Sequence, residues 1–386
     1  MIPYGRQDVT QADIDAVVSV LRSDYLTQGP VVPRFEEAVA SYCGAAGAVA
    51  VCNATAALHL VYRALGLGPG DLLWTSPITF VATANAALYC GADVDFVDID
   101  PATYNLCSTK LAEKLERAQA ANRLPKIVTA VHLAGQSCDM VSLAELAHQY
   151  GFRLVEDASH AIGGRYKNRP IGSCDYSDAA VFSFHPVKII TSGEGGMVTS
   201  KHKDLVEKVE LLRSHGITRD PSRMTRSPDG PWYYQQIELG FNYRMTELQA
   251  ALGLSQFGRL DDYVRRRHEI ASVYNSALKE FSLLLPAQHH NSYSAFHLYI
   301  IRLKNAIEQQ HRKIFEGLRA ADIGVNLHYI PVHKQPYYEG FGRYSEASLP
   351  ESERYYRQAI SLPIFPSIST DQQETVIETL KALLTT

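Results

Sequence analysis

The chain's 386 residues are more than one hydrophobic core usually organises, so two lobes are expected. A composition of 46% hydrophobic and 20% charged residues excludes a disordered, coiled-coil or collagenous protein. The net charge of -4, with Lys and Arg spread along the chain, leaves no basic stripe, and nucleic acid is not expected as a partner.

The opening segment IPYGRQDVTQADID carries early acids and no apolar core, unlike a secretory signal. No apolar run approaches the roughly 20 residues that cross a bilayer, so a soluble, cytoplasmic protein without membrane contact is expected. From about residue 48 to 200, short apolar runs alternate with amphipathic stretches such as SLAELAHQYG. The runs are AVAVCN, LLWTSP, DVDFVDID, KIVTAVHLAG, FRLVEDAS, DAAVFSFH and GGMVTS. Runs apolar on both faces, separated by helical spacing, predict a mostly parallel sheet buried under helices, an α/β domain. Ligands of such sheets gather at the carboxyl ends of the strands. Residues 217 to 236, polar and arginine-rich with several prolines, read as a long connection. The stretch MTELQAALGLSQFGRLDDYVRRRHEIASVYNSAL has long helical periodicity and leads into a second lobe. There HLYIIRL and VNLHYIPV read as strands and QHRKIFEGLRAADIG as a helix. Residues 1–260 are assigned to the N-terminal and large domain, and 261–386 to a smaller α+β domain.

The six cysteines, Cys43, Cys52, Cys90, Cys107, Cys138 and Cys174, never form C-x-x-C, so neither a metal site nor a redox dithiol is suggested. The acids of the DVDFVDIDP run read as an exposed strand face rather than a metal site. The GEGG turn lacks the spacing of a dinucleotide site.

Lys188 lies in FSFHPVKIITSGEGGMV, after a strand and before a glycine-rich turn. Partial desolvation there would favour its neutral amine, which suits a Schiff base; a solvated surface lysine is the alternative. Asp157 closes the strand FRLVED, where its carboxylate could pair with a protonated ring nitrogen or simply cap a helix. Strand alternation turns Glu156 the opposite way. The passage CNATAALHL runs from strand to helix through small residues, with Thr55 at a helix start that can cradle phosphate or merely pack closely. Ser183 could add a phosphate donor, and Phe80 could stack on a planar ring or fill a core.

Together these segments follow the pattern of fold-type I pyridoxal-phosphate enzymes, and the sequence resembles the DegT/DnrJ/EryC1/StrS sugar aminotransferases over nearly its whole length. The matching stretches are LTQGP, NATAALHL, TSPITFVATANA, EDASHAIG, FSFHPVK, GEGGMV, GFNYRMTELQAALG and HYIPVH. The resemblance implies pyridoxal 5'-phosphate as cofactor, Lys188 as its Schiff-base lysine and Asp157 as the partner of its pyridine nitrogen. It implies Phe80 as the stacking ring, Thr55, Ala56 and Ser183 as phosphate contacts, and Asn242 as a residue reaching the phosphate from the other subunit of a homodimer with shared active sites. Substrate contacts are implied for Tyr4, Leu26, Thr27, Gln28, His185, His328 and Tyr329; Arg244, adjacent to Asn242, could make a charge-assisted contact to a diphosphate or a surface salt bridge.

Ala54 stands where many relatives carry glycine, and His160, at a cofactor-contacting position, where many carry glutamine. His160, with LTQG, SPITFVATAN, ASHA and RSHG, resembles the subgroup that makes the 4-amino sugar precursor of pseudaminic acid. The implied substrates are a UDP-linked 4-keto-6-deoxy-N-acetylhexosamine and L-glutamate. A transaminase for another nucleotide-linked keto sugar, or a non-catalytic relative of the same fold, are the alternatives.

Overall fold

The computed structural model describes residues 1–304, 308–341, 344 and 348–385. Each of the seven apolar runs between residues 48 and 200 forms a strand: β1 Gly47–Val51, β2 Leu72–Thr75, β3 Asp93–Phe96, β4 Ile127–Val131, β5 Arg153–Asp157, β6 Ala179–Ser183 and β7 Gly196–Ser200. They make one sheet in the order β1-β7-β6-β5-β4-β2-β3. The pairs β2–β3, β2–β4, β4–β5 and β5–β6 are parallel, and β7 runs antiparallel to both its neighbours. All five residues of β4, of β6 and of β7 are buried, as expected of strands covered on both faces.

Helices cover both faces. The early ones are α1 Gln11–Leu21, α2 Val31–Cys43, α3 Ala54–Ala64 and α4 Ala82–Tyr89. They are followed by α5 Ser108–Ala120, α6 Met140–Tyr150, α7 Lys203–Arg213, α8 Glu247–Phe257 and α9 Leu260–Leu278. Asn53 caps α3, its side-chain oxygen accepting from the Ala56 N–H at 2.8 Å. Thr246 and Gln249 form a capping box at the start of α8. The long periodic stretch therefore begins where its sequence says, but it breaks at Gly258–Arg259 into two helices.

Leu260, Tyr263 and Val264 of α9 pack into the large-lobe core, while Ile270, Ala271, Tyr274 and Leu278 pack into the small-lobe core. One helix thus ties the lobes together. The small lobe has a three-stranded antiparallel sheet built on Tyr299–Leu303, flanked by Leu283–Leu284 and Ala359–Leu362, with helices Glu308–Ala320 and Thr370–Thr385 against it. Among the described residues, no helix is long and apolar enough to cross a membrane.

Three expectations need correction. The first residues, assigned with the large domain, pair with the small one: Ile2 bridges Ile323, and the Tyr4 carbonyl accepts from Ile364 N–H. VNLHYIPV is not a strand; only Asn326 bridges Ser361, and the chain then turns to aim side chains at the large lobe. The acids of the DVDFVDIDP run form an exposed face only at Asp93. Asp98 is buried and accepts from the N–H groups of Glu351 and Ser352 at 2.9 Å each, capping the helix Pro350–Tyr356, while Asp95 pairs with Lys114 at 2.7 Å.

Candidate active site

A cavity of about 820 Å³ opens at the carboxyl ends of β4, β5 and β6, between the sheet and the small lobe. Asp157 and Ser183 reach it because each is the last residue of its strand, and Val131 lines it from the end of β4. Glu156 points the other way, as strand alternation requires. Its carboxylate takes Ser177 Oγ at 2.5 Å and lies 2.7 Å from His132 Nε2.

Asp157 is held at both oxygens. Oδ2 accepts from Thr83 Oγ1 at 2.6 Å, and Oδ1 accepts from Ser159 Oγ at 2.6 Å and from Ser159 N–H at 3.2 Å. Because Thr83 spends its proton on Asp157, the Thr79 hydroxyl 2.8 Å away must donate to Thr83. The carboxylate therefore does both things the sequence allowed: it steadies the turn after β5 and faces the cavity.

Lys188 hangs from a compact turn. Its N–H donates to the His185 carbonyl at 2.9 Å, Phe184 N–H donates to the Gly195 carbonyl, and Thr191 Oγ1 donates to the Phe184 carbonyl. Burial brings the Lys188 amine down to about 8 against the countervailing charge of Asp157, so roughly a tenth of it is neutral at pH 7, far more than of an ordinary lysine. Among the described residues lining the cavity, Lys188 is the one Lys or Arg.

On the opposite side α3 presents its N-terminus. The Ala56 N–H is taken by Asn53 and Ala56 does not line the cavity, whereas Ala54 and Thr55 do, and first-turn N–H groups have no intrahelical acceptor. Gly196 lets β7 abut this cradle; a Cβ there would lie 2.6 Å from the Asn53 carbonyl carbon. Phe80, 59% exposed, presents its ring at the rim.

The small lobe closes the cavity with His297, Asn326, Leu327, His328 and Tyr329, joined by Tyr4 and, from the large lobe, His160. Burial, reinforced by Lys188, holds His160 well below the usual imidazole range and brings His328 to about 3, so both rings are neutral at physiological pH. His160 Nδ1 accepts from Ala134 N–H at 3.3 Å, which puts the ring proton on Nε2, 2.9 Å from Tyr329 Oη. Tyr329 must then accept from His160 and is free to donate into the cavity.

The expected residues Tyr4, Thr55, Phe80, Asp157, His160, Ser183, His185, Lys188, His328 and Tyr329 therefore converge on one cavity. Leu26, Thr27, Gln28, Asn242 and Arg244 do not line it. They form a separate patch: Thr27 pairs with Thr246, Arg244 with Val51 and Asn242 with Ser214. Sequence reading missed Thr79, Thr83, Asn53, Ser159, Glu194, His297 and Asn326. Thr83 sits in the first turn of α4 and Thr79 in the bend before it, and no periodicity in the sequence marks the pair.

A model described as the DegT/DnrJ/EryC1/StrS aminotransferase family matches residues 7–381. The chain is 39% identical over 386 residues to the spore coat polysaccharide biosynthesis protein SpsC of Bacillus subtilis, covering 99% of this chain and 97% of that one. It is 38% identical over 387 residues to the UDP-4-amino-4,6-dideoxy-N-acetyl-beta-L-altrosamine transaminase of Campylobacter jejuni, covering 100% and 98%. Spr1654 of Streptococcus pneumoniae, solved in its PMP-form, superimposes with a TM-score of 0.90 at 28% identity, covering 100% and 99%.

Proposed function

The chain belongs to the DegT/DnrJ/EryC1/StrS aminotransferase family and is a pyridoxal-phosphate-dependent sugar aminotransferase; from that premise we propose that it aminates C4 of a UDP-linked 4-keto-6-deoxy-N-acetylhexosamine with L-glutamate as donor. The product would be UDP-4-amino-4,6-dideoxy-N-acetyl-β-L-altrosamine, a precursor of pseudaminic acid. The observation that carries this reading is the convergence of the Lys188 amine, the doubly held Asp157 carboxylate and a wall of uncharged hydrogen-bonding groups on one cavity.

The residues present fit pyridoxal phosphate. Thr55, Ser183 and the open first turn of α3 suit the phosphate, the exposed face of Phe80 suits the ring, Asp157 suits the pyridine nitrogen and Lys188 the aldehyde carbon. When bound, the cofactor supplies an electron sink for the pair released when a proton leaves carbon. Asp157 keeps the proton on the ring nitrogen, and Thr83 and Ser159 keep Asp157 in place. Lys188, with its lowered proton affinity, is the base that takes the proton from the donor's α-carbon and later delivers one to C4 of the sugar.

The cavity walls of one subunit hold no arginine among the described residues, yet both proposed substrates are anionic. We assign that charge to the second subunit of a homodimer. Leu26, 51% exposed, and Leu239, 71% exposed, accompany Thr27, Gln28, Asn242 and Arg244 on a surface suited to pairing, from which Asn242 and Arg244 would serve the partner's site.

A second reading, another nucleotide-linked keto sugar, has support in the 39% identity to SpsC, against 38% to the altrosamine transaminase. The test is incubation with glutamate and a panel of UDP-4-keto sugars, with the configuration at C4 of each product read by nuclear magnetic resonance. Amination of the 6-deoxy-N-acetyl substrate to the L-altro product supports the first reading. Amination of a different member alone overturns it.

A further inference from the structure

The small-lobe wall contains a histidine that neither the sequence motifs nor the proposed reaction employs. His297, 4% exposed, lines the cavity with its ring 4.4 Å, centroid to centroid, from that of His160. Its Nδ1 is buried without a hydrogen-bond partner.

The backbone that carries this ring is fixed from behind. Arg267, 1% exposed, donates from Nη1 to the carbonyls of Phe296 at 3.1 Å, His297 at 3.2 Å and Ile364 at 3.0 Å. On the other side the backbone of Gly135 approaches so closely that a Cβ there would lie 3.1 Å from His297 N. Such anchoring is needed to aim a side chain, and it is not needed to fill space.

The position of the ring proton follows from the unpartnered nitrogen. A buried donor left without an acceptor costs more than a buried acceptor left without a donor. The proton therefore sits on Nε2, and Nε2 is the ring nitrogen available to a ligand. Burial, with the nearby His160, Lys188 and Arg267, keeps the ring from taking a second proton. His297 thus offers one fixed, uncharged N–H to the cavity, on a wall that also presents Asn326, neutral His328, Tyr329 and Tyr4.

Uncharged donors and acceptors match the hydroxyl and ring oxygens of a sugar, whereas a carboxylate is best met by a cation. We propose that His297 is a substrate-positioning residue that donates a hydrogen bond from Nε2 to an oxygen of the keto sugar and makes no contact with the amino donor. The inference rests on the sugar reading above.

The test uses the holoenzyme and compares His297→Gln with His297→Asn. Glutamine places an amide N–H near the position of Nε2, and asparagine stops short, near Nδ1. The two half-reactions are followed separately, with glutamate alone and with whichever panel sugar the wild type accepts. His297→Asn raises KM for the sugar about tenfold, the worth of one hydrogen bond. Its glutamate half-reaction and thermal midpoint stay at wild-type values, and His297→Gln recovers most of the lost affinity.

Three results overturn the inference: an unchanged sugar KM in His297→Asn, no difference between the two variants, or a glutamate half-reaction slowed in the same proportion. A wild type that accepts no sugar sinks the functional reading and the inference together. A wild type that accepts one, with unaffected variants, sinks the inference alone.

Discussion

The two walls of the cavity are held by different means. On the large-lobe wall, Asp157 and Ser183 are the last residues of paired strands, Thr55 opens a capped helix, and Lys188 sits in a turn closed by backbone hydrogen bonds. On the small-lobe wall, His328, Tyr329 and Asn326 lie in irregular chain. Asn326 is placed by a backbone bridge to Ser361, and the other two by side-chain contacts: His160 to Tyr329, which spans 169 residues, and His328 to Ser361. The first wall takes its accuracy from a sheet and suits chemistry that must be done the same way for every substrate. The second takes its shape from tertiary contacts, and the proposed function puts the recognition of the sugar there.

The difference can be broken most severely at the large-lobe wall. Lys188→Ala is expected to remove turnover, because the lost amine serves both as tether and as proton carrier, while the thermal midpoint stays near that of the wild type. Turnover near the wild-type rate in the purified variant would refute the assignment. Asp157→Asn comes next. Cofactor binding is retained and the half-reaction with glutamate alone slows by orders of magnitude, since a neutral ring is a poorer electron sink. A stopped-flow rate left unchanged would reduce Asp157 to a turn-capping role. Thr83→Val removes the 2.6 Å bond to Asp157 Oδ2 while Ser159 keeps the other oxygen in place. A charge-assisted hydrogen bond is worth about 1.5–3 kcal/mol, so a loss of roughly 10- to 150-fold in kcat with an unchanged sugar KM is expected. A change confined to sugar KM would place Thr83 on the wrong wall.

The smallest effect is a displacement along the pH axis. An amine must be neutral to attack the cofactor's aldehyde, and the Lys188 amine lies at about 8, below the ordinary lysine value of 10.5. The rate at which apoprotein takes up pyridoxal phosphate should therefore rise with pH up to about 8 and then level off. A rate still climbing tenfold per unit above pH 9 would show that Lys188 is not desolvated.

What could be read from the sequence follows the same division. The seven strands were legible because residues buried on both faces are continuously apolar, and Asp157 and Lys188 were legible because they break such runs with a charge. His160, His328 and Tyr329 were reached through the family resemblance, since nothing in the period of VNLHYIPV separates a strand from the irregular chain it forms. His297 was hidden inside HLYIIRL, where a histidine beside an apolar strand reads as core. Only the approach of the Arg267 helix and the Gly135 turn reveals that its ring is aimed. Leu26 to Gln28 and Asn242 to Arg244 could be named as site residues but not placed, because the surface they share lies away from their own cavity.

The most direct test of the account is chemical. Borohydride reduces the carbon–nitrogen double bond between an enzyme amine and pyridoxal phosphate to a stable link, so reduction of the holoenzyme followed by proteolysis and mass mapping locates the tether. The account predicts one cofactor mass per chain, on the peptide that contains Lys188, and none after prior treatment with excess L-glutamate. A cofactor mass on another lysine, or no stable adduct in a protein that still aminates sugars, would contradict it.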